Sequence, residues 1–185
     1  MNYYISDLHL GHYNIIRLCN RPFNTADEMD ETIINNWNNV VRDEDDVYIL
    51  GDFCFRNAHP AEYYLKQLNG KKHLIFGNHD MKIRGNMVRG KYPGLESAKN
   101  YDEIIDGTTK LILFHYPIVE WDGFFKNTVH LYGHTHNNVK NAAYRLMKDV
   151  PNAYNVGADI LGFTPRTLTQ VIECNRKFEA DNPLS

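Results

Sequence analysis

The chain has 185 residues, of which 43% are hydrophobic, 12% aromatic and 23% charged, and its formal net charge is −3 at pH 7. This composition is typical of a globular protein and excludes disordered and fibrous classes. The length suits one buried core, so we expect a single domain over residues 1–185. The mild negative charge argues against the broad basic surface that a long nucleic-acid footprint needs, but it is compatible with a local phosphate site.

The cysteines and the first residues bear on the compartment. Cys19, Cys54 and Cys174 are odd in number and widely spaced, which disfavours both a disulfide framework and a cysteine zinc site. The N-terminus has no basic leader-type segment, and no apolar run approaches the ~20 residues that span a bilayer. We therefore expect a cytoplasmic protein without a membrane partner.

Strands and helices alternate in the first part of the chain. Five short apolar runs predict strands: Tyr3–Ile5, Val47–Leu50, His73–Phe76, Leu111–Phe114 and Val129–Tyr132. A capping box at Thr25 predicts a helix ending near Arg42, and a second helix is expected from Pro60 to Asn69. This order over the first 76 residues favours parallel strands joined by crossover helices.

The pattern changes after about residue 100. Residues 101–105, a turn at Asp106 and Gly107, and residues 108–114 predict a β-hairpin. Residues 153–157 predict a further strand, and residues 167–175 predict an amphipathic helix. The glycine-rich, basic segment 82–94 is expected to be a surface loop. Together these elements predict an α/β domain with mixed strand pairing.

Each of the five apolar runs is followed by residues that can bind a metal ion. These candidate ligands are Asp7, His9, Asp52, Asn78, His115, His134 and His136. Because strand ends in open α/β sheets meet at one crevice, residues this far apart in sequence can form one site. Oxygen and imidazole donors without a thiolate suit divalent Mn, Fe, Zn or Ni.

The number of candidate ligands favours two ions. One tetrahedral ion needs fewer ligands, whereas two ions sharing a carboxylate need about this many, and such pairs serve phosphoryl hydrolysis. The positive charge of two divalent ions would exceed the negative charge of Asp7 and Asp52. The site would therefore be net positive and would attract a phosphate ester. On an extended backbone, His134 and His136 would project to the same side. His59, His73 and His130 are interpreted as ordinary structural or surface histidines.

The ordered motifs D-x-H, G-D, G-N-H-D, H and G-H-x-H resemble those of the calcineurin-like metallophosphoesterase superfamily, in its small, single-domain bacterial or phage form. The resemblance covers the chain from Asp7 to His136. It implies a four-layer α/β/β/α sandwich of two mixed β-sheets flanked by helices. It also implies a dinuclear metal centre on the loops at the strand ends.

The resemblance further implies a role for each residue. The ligands form two sets bridged by Asp52, namely Asp7, His9 and His136 for one ion and Asn78, His115 and His134 for the other. His79 would be the general acid, and Asp80 would orient it by accepting a hydrogen bond from its other ring nitrogen. The implied reaction is hydrolysis of a phosphodiester or phosphomonoester by a metal-bridging hydroxide.

A second group of residues gives candidate substrate contacts: His12, Asn14, Arg17 and Arg21. Arg17 and Arg21 are four positions apart, and guanidinium groups suit phosphate oxygens, but a solvated basic face explains them equally well. Tyr116 and Trp121 could each line the site or pack in the core.

Two other functions are considered beside a phosphoesterase of small substrates. A scaffold on the same fold would have lost part of the metal set, whereas every position is present here. A nuclease relative would carry added DNA-binding segments, whereas this chain is compact and mildly acidic. We expect a small phosphate ester as the partner, bound at an open site bordered by residues 10–24, 82–100 and 116–127.

Overall fold

Two four-stranded sheets form the centre of the computed structural model, which describes residues 1–55 and 59–183. The first sheet contains β1 (Asn2–Ile5), β2 (Asp46–Ile49), β3 (Lys71–Ile75) and β4 (Ser97–Lys99), in that order. All three strand pairs are parallel, and the register places Tyr3 opposite Val47. The expected parallel arrangement of the early strands is therefore confirmed.

The second sheet contains β5 (Tyr101–Asp106), β6 (Thr109–Phe114), β7 (Val129–Tyr132) and β8 (Ala153–Asn155). The first two strands form the expected antiparallel hairpin, and the other two pairs are parallel. Among the named strands only this second sheet is mixed, whereas two mixed sheets were expected. An isolated antiparallel bridge between Tyr4 and Arg166 adds to the first sheet.

The helices connect and cover these sheets. They are α1 (Tyr13–Leu18), α2 (Ala26–Val40), α3 (Ala61–Leu65), α4 (Met81–Gly85), α5 (Ala142–Met147), α6 (Ala158–Leu161) and α7 (Leu168–Asp181), with a 3-10 turn at Phe124–Lys126. Thr25 caps α2 by accepting a hydrogen bond from the backbone N–H of Glu28 at 3.1 Å.

Two expectations about local structure need correction. The last helix continues past residue 175 to Asp181. The segment 82–94 is not a plain surface loop, because α4 occupies its start and both Ile83 and Tyr92 are buried. These two side chains pack into the core, so the prediction of a surface loop, which was made from composition alone, is wrong for this segment.

Neighbouring residues of β1 face two different cores. Ile5 packs in a cluster that includes Met29, Ile33 and Trp37 of α2. Tyr4 packs in a cluster that draws residues from both sheets, including Leu111. This alternation, normal for a strand, places helices on one face of the first sheet and the second sheet on the other. The expected class, two sheets flanked by helices, is confirmed.

The ends of five strands carry the candidate ligands. Asp7 follows β1, Asp52 follows β2, Asn78 follows β3, His115 follows β6 and His134 follows β7. In each sheet the parallel strands end at the same edge, which brings their loops together. Within the described chain, no helix combines the length and apolar character that crossing a bilayer requires.

Candidate metal centre

The seven candidate ligands come together as two adjoining donor groups. In the first donor group, ligand atoms of Asp7, His9 and His136 lie within 4.8 Å of one another. In the second donor group the same holds for Asp52, His115 and His134. Asn78 joins the second group, because its Oδ1 lies 3.3 Å from Nε2 of His115.

The Asp52 carboxylate lies between the two groups. Its Oδ2 is 3.6 Å from Nε2 of His9 and 3.6 Å from Nε2 of His115. Its Oδ1 accepts a hydrogen bond from the backbone N–H of His79 at 2.8 Å. Burial raises the pKa of Asp52, which is the behaviour of a carboxyl surrounded by few compensating charges. One carboxylate oxygen therefore faces both donor groups.

Three buried atoms of the first donor group have no hydrogen-bond partner within the described part of the chain. They are Oδ1 of Asp7 and both ring nitrogens of His9. Burial lowers the pKa of His9 well below its usual value, so the imidazole is neutral and keeps a free lone pair. An unpaired buried donor or acceptor costs free energy, which a bound cation would recover at the acceptors. These atoms fit a divalent ion.

The ligand-bearing loops adopt a backbone conformation that is uncommon outside glycine. Positive φ angles occur at Asp7 (55°), His9 (51°), Asp52 (52°), His134 (68°) and His136 (50°). Such conformations concentrate at functional sites, where the surrounding structure maintains the strain. They also correct the extended geometry expected for His134 and His136, whose rings belong to different donor groups.

Two motif glycines lie where a side chain would collide with the site. A Cβ at Gly133 would overlap Oγ of Ser6 and Oδ2 of Asp7, and one at Gly77 would overlap Oδ1 of Asp52. The hydroxyl of Ser6 and the backbone N–H of His134 both donate to Oδ2 of Asp7, at 2.7 and 2.9 Å. Glycine is therefore needed because the loops approach each other closely.

Hydrogen bonds orient two of the histidine rings. Nδ1 of His115 lies 2.7 Å from the carbonyl oxygen of Leu50, and a carbonyl only accepts, so Nδ1 carries a proton and Nε2 is the nitrogen that faces Asn78. Nδ1 of His136 lies 2.8 Å from Oδ2 of Asp159. Burial lowers the pKa of His136, but hydrogen bonding to Asp159 and the nearby acidic charges outweigh it and raise the pKa to about 10. A metal ion that binds Nε2 of His136 would have to displace the proton from that nitrogen.

The guanidinium of Arg21, which the sequence offered as a substrate contact, is bonded to other residues of the protein. Its side chain is buried and pairs with Asp159, with Nε 2.8 Å from Oδ1. The same guanidinium donates to the carbonyl oxygens of Asp7 and Leu8, at 2.7 and 2.9 Å. Arg21 therefore stabilises the loop after β1, which carries Asp7 and His9. No sequence motif pointed to Asp159, since a single acidic residue in the short helix α6 has no distinguishing pattern.

Asp80 makes other hydrogen bonds than the one to the His79 ring that the resemblance implied. Its carboxylate is almost fully buried and accepts hydrogen bonds from three backbone N–H groups, those of Asp52, Phe53 and Gly77, at 2.8 to 3.0 Å. Both oxygens are thus used by the backbone, and no hydrogen bond joins this carboxylate to the His79 ring within the described chain. Asp80 therefore ties together the loops that follow β2 and β3.

The remaining candidates border the site to different degrees. His79 is exposed, with its ring centroid 5.2 Å from that of His9. His12 is mostly buried and stacks on Phe55 with a centroid distance of 3.8 Å. His12 and His79 line one cavity of about 400 Å³ beside the first donor group. Asn14 and Arg17 are exposed on α1 and do not line that cavity.

The structure distinguishes Tyr116 from Trp121, for which the sequence did not decide between lining the site and packing in the core. The ring of Tyr116 lies 4.8 Å from that of His134, so it borders the site. Trp121 is buried and donates to the carbonyl oxygen of Thr128, so it packs in the core. His73 bonds to Ser97 and Asp46, in keeping with a structural role.

Comparison with known proteins gives a consistent family relationship. The model of the calcineurin-like phosphoesterase family matches residues 3–167. An uncharacterized protein of Methanocaldococcus jannaschii is 33% identical over 177 residues, covering 95% of this chain and 91% of the relative. The gene 66 protein of Mycobacterium phage L5 is 28% identical over 160 residues, covering 73% and 77%. A crystal structure of a protein of unknown function from Aquifex aeolicus has a similar fold, with a TM-score of 0.70, 24% identity and coverage of 94% and 98%.

Proposed function

The chain belongs to the calcineurin-like phosphoesterase family, and we propose that it is a dinuclear metal-dependent phosphoesterase acting on a small phosphate ester. The observation that carries this proposal is the position of Asp52, whose Oδ2 lies 3.6 Å from a histidine nitrogen of each donor group. A carboxylate so placed can bridge two ions, which is the arrangement used for phosphoryl hydrolysis.

The donor atoms define which metals are suitable. Carboxylate, amide and imidazole donors suit Mn, Fe, Zn or Ni, and the unpartnered atoms of Asp7 and His9 accept a cation without losing existing hydrogen bonds. When bound, such ions supply Lewis acidity toward the phosphate and lower the pKa of water. Asp7, His9 and His136 would hold one ion, and Asn78, His115 and His134 the other.

We assign His79 to protonating the leaving alcohol. Its backbone N–H is fixed by Asp52 while its ring is exposed beside the first donor group, so the ring can reach an ester oxygen from the solvent side. Because Asp80 is used by the backbone, we do not assign it a direct part in the proton transfer. His12 lines the same cavity as His79 and is the better supported of the candidate substrate contacts.

The expected substrate and location follow from the same features. The net charge of −3 and the small volumes of the two cavities, about 460 and 400 Å³, favour a small soluble ester over nucleic acid or a membrane surface. The three cysteines are free thiols, which supports a reducing cytoplasm. The scaffold alternative is less favoured. A scaffold does not need a complete set of metal ligands, nor buried ligand atoms without a hydrogen-bond partner.

Metal analysis combined with turnover tests the proposal. We expect the purified protein to bind two divalent ions per chain and to hydrolyse bis(p-nitrophenyl) phosphate or p-nitrophenyl phosphate. Asp52→Asn should lower metal content and abolish turnover, whereas Asp43→Asn, an exposed change, should alter neither. A protein that binds no metal and hydrolyses neither ester would support the scaffold alternative instead.

A further inference from the structure

A second cavity, of about 460 Å³, adjoins the second donor group. Asn78 and Tyr116 line it on the side of the metal centre. Asn78 Oδ1 is 3.3 Å from His115, and the Tyr116 ring is 4.8 Å from that of His134. The volume lies within the range of about 300–1,000 Å³ that is usual for small-molecule sites. A ligand bound at the metal centre can therefore extend into this cavity.

Arg84 gives this cavity a positive charge. Its guanidinium carbon lies 4.5 Å from the centroid of the Phe76 ring, and its Nη2 donates to Oδ1 of Asn100. Stacking and this one hydrogen bond hold the exposed group in place, while a guanidinium has five N–H donors in all. No carboxylate occurs among the described residues that line the cavity. Arg84 is thus oriented and has donors left for an anion.

The contrast with Arg21 sharpens the interpretation. Arg21 is buried, pairs with Asp159 and donates to two carbonyl oxygens, so its charge is used inside the protein. Arg84 lies in the last turn of α4 at the cavity wall, and the described chain provides no carboxylate within ion-pair distance of it. An arginine held this way at a cavity wall suits recognition of a phosphate or carboxylate.

The position of His79 indicates which part of a substrate would reach Arg84. His79 lines the other cavity, beside His12 and His136, so we place the leaving alcohol there. In diester hydrolysis the phosphorus gains a bond to the water oxygen and loses its bond to the leaving alcohol. The water gives up one proton, the leaving oxygen gains one, and the second ester bond stays intact. The retained ester group then has the Arg84 cavity available, and a monoester has no such group.

From these two cavities we infer that the substrate is a phosphodiester whose retained alcohol carries a further phosphate or carboxylate, bound by Arg84. This inference rests on the proposed phosphoesterase function. Phe76, Phe114 and Tyr116 provide apolar walls for the body of the retained group. Arg84 is a specificity residue in this arrangement, since it contacts a group remote from the scissile bond.

Two chromogenic substrates that differ only in the retained group test the inference. These are thymidine 5′-(p-nitrophenyl phosphate) and the same compound with a 3′-phosphate, so the leaving group is constant. We expect kcat/KM to be about ten-fold higher for the 3′-phosphorylated substrate. Arg84→Gln should remove this preference by lowering kcat/KM for the 3′-phosphorylated substrate about ten-fold, towards the value for the other substrate. Arg89→Gln, an exposed change outside the cavity, should preserve the preference.

Several results would overturn the inference. Equal kcat/KM values for both substrates in the wild-type protein would show that the cavity does not recognise a second anion. An equal loss for both substrates in Arg84→Gln would instead place Arg84 on the scissile phosphate.

Binding to the metal-free protein separates this inference from the proposed function. Thymidine 3′,5′-bisphosphate should bind about ten-fold more tightly than thymidine 5′-phosphate by calorimetry, and Arg84→Gln should remove the difference. Turnover of neither substrate together with this binding preference would refute the enzyme but retain the anion site. Equal binding of the two nucleotides would refute the site itself.

Discussion

Nδ1 of His136 lies 2.8 Å from Oδ2 of Asp159, and the other oxygen of this carboxylate pairs with Arg21. The arrangement turns the opposite ring nitrogen, Nε2, towards Oδ1 of Asp7, 3.8 Å away. A carboxylate on the far side of a metal-binding histidine fixes its ring and increases its basicity. Asp159 is therefore positioned to stabilise the first donor group by orienting the ring of His136.

Asp159→Asn tests this relationship. The change removes the negative charge that pairs with both His136 and Arg21, so the first donor group should bind divalent metal about ten- to hundred-fold more weakly. Metal titration by calorimetry would measure the loss, with Asp149→Asn as a control on the exposed surface. Unchanged affinity for both ions in Asp159→Asn would contradict the positioning role.

Arg21→Met tests whether Arg21 stabilises the fold instead of binding substrate. The variant leaves Asp159 without its buried counter-ion and two carbonyl oxygens without a donor, so we expect the free energy of unfolding to fall by about 3–5 kcal/mol. Urea denaturation would measure it. Arg17→Met, on the exposed side of α1, should change stability by less than about 0.5 kcal/mol. A raised KM with unchanged stability in Arg21→Met would restore the substrate-contact interpretation.

His79→Ala should separate proton transfer from metal binding. The backbone N–H that holds Asp52 remains in the variant, so metal content should stay near normal. Loss of the ring should lower kcat by about a hundred-fold or more, the usual contribution of a general acid. Elemental analysis and steady-state kinetics on the same preparation would check both. Loss of metal from His79→Ala would show that this residue serves the donor groups and not the leaving group.

The buried residue His130 should make stability depend on pH. Burial lowers the pKa of His130 to about 4, from the usual value of 6.5, while its Nδ1 bonds to the carbonyl oxygen of Ile112. The His130 ring of the unfolded chain binds a second proton more tightly than the ring of the folded protein. The contribution of His130 to the free energy of unfolding is therefore fully present above pH 6.5. It is lost as the pH falls towards 4, by about 3 kcal/mol.

Denaturation of the metal-free protein between pH 7 and 4 measures this effect. His130→Leu should show a lower stability at pH 7 and a shallower decline towards pH 4 than the wild-type protein. Parallel pH profiles for the two proteins would show that another group causes the acid sensitivity.

Local sequence features predicted much of the secondary structure. The apolar runs, the Thr25 cap and the Asp106-Gly107 turn each depend on neighbouring residues, and the corresponding strands, helix and hairpin are present. By contrast, α4 was missed because it is only 5 residues long and begins a basic, glycine-rich segment, although Ile83 within it is buried. Its burial depends on core residues distant in sequence.

The sequence by itself determined which residues could form the site, because each motif follows directly on an apolar run and the strand ends of parallel sheets must converge. Only the tertiary structure decided what the neighbouring charged groups do. Arg21 and Asp159 are 138 positions apart, and their pairing depends on how the start of α6 packs against the loop after β1. Asp80 and Arg84 lie near each other in the chain, yet the Asp80 carboxylate is buried and accepts hydrogen bonds from backbone N–H groups, whereas Arg84 lines a cavity. Burial and side-chain hydrogen bonds arise from long-range packing, which no local pattern encodes.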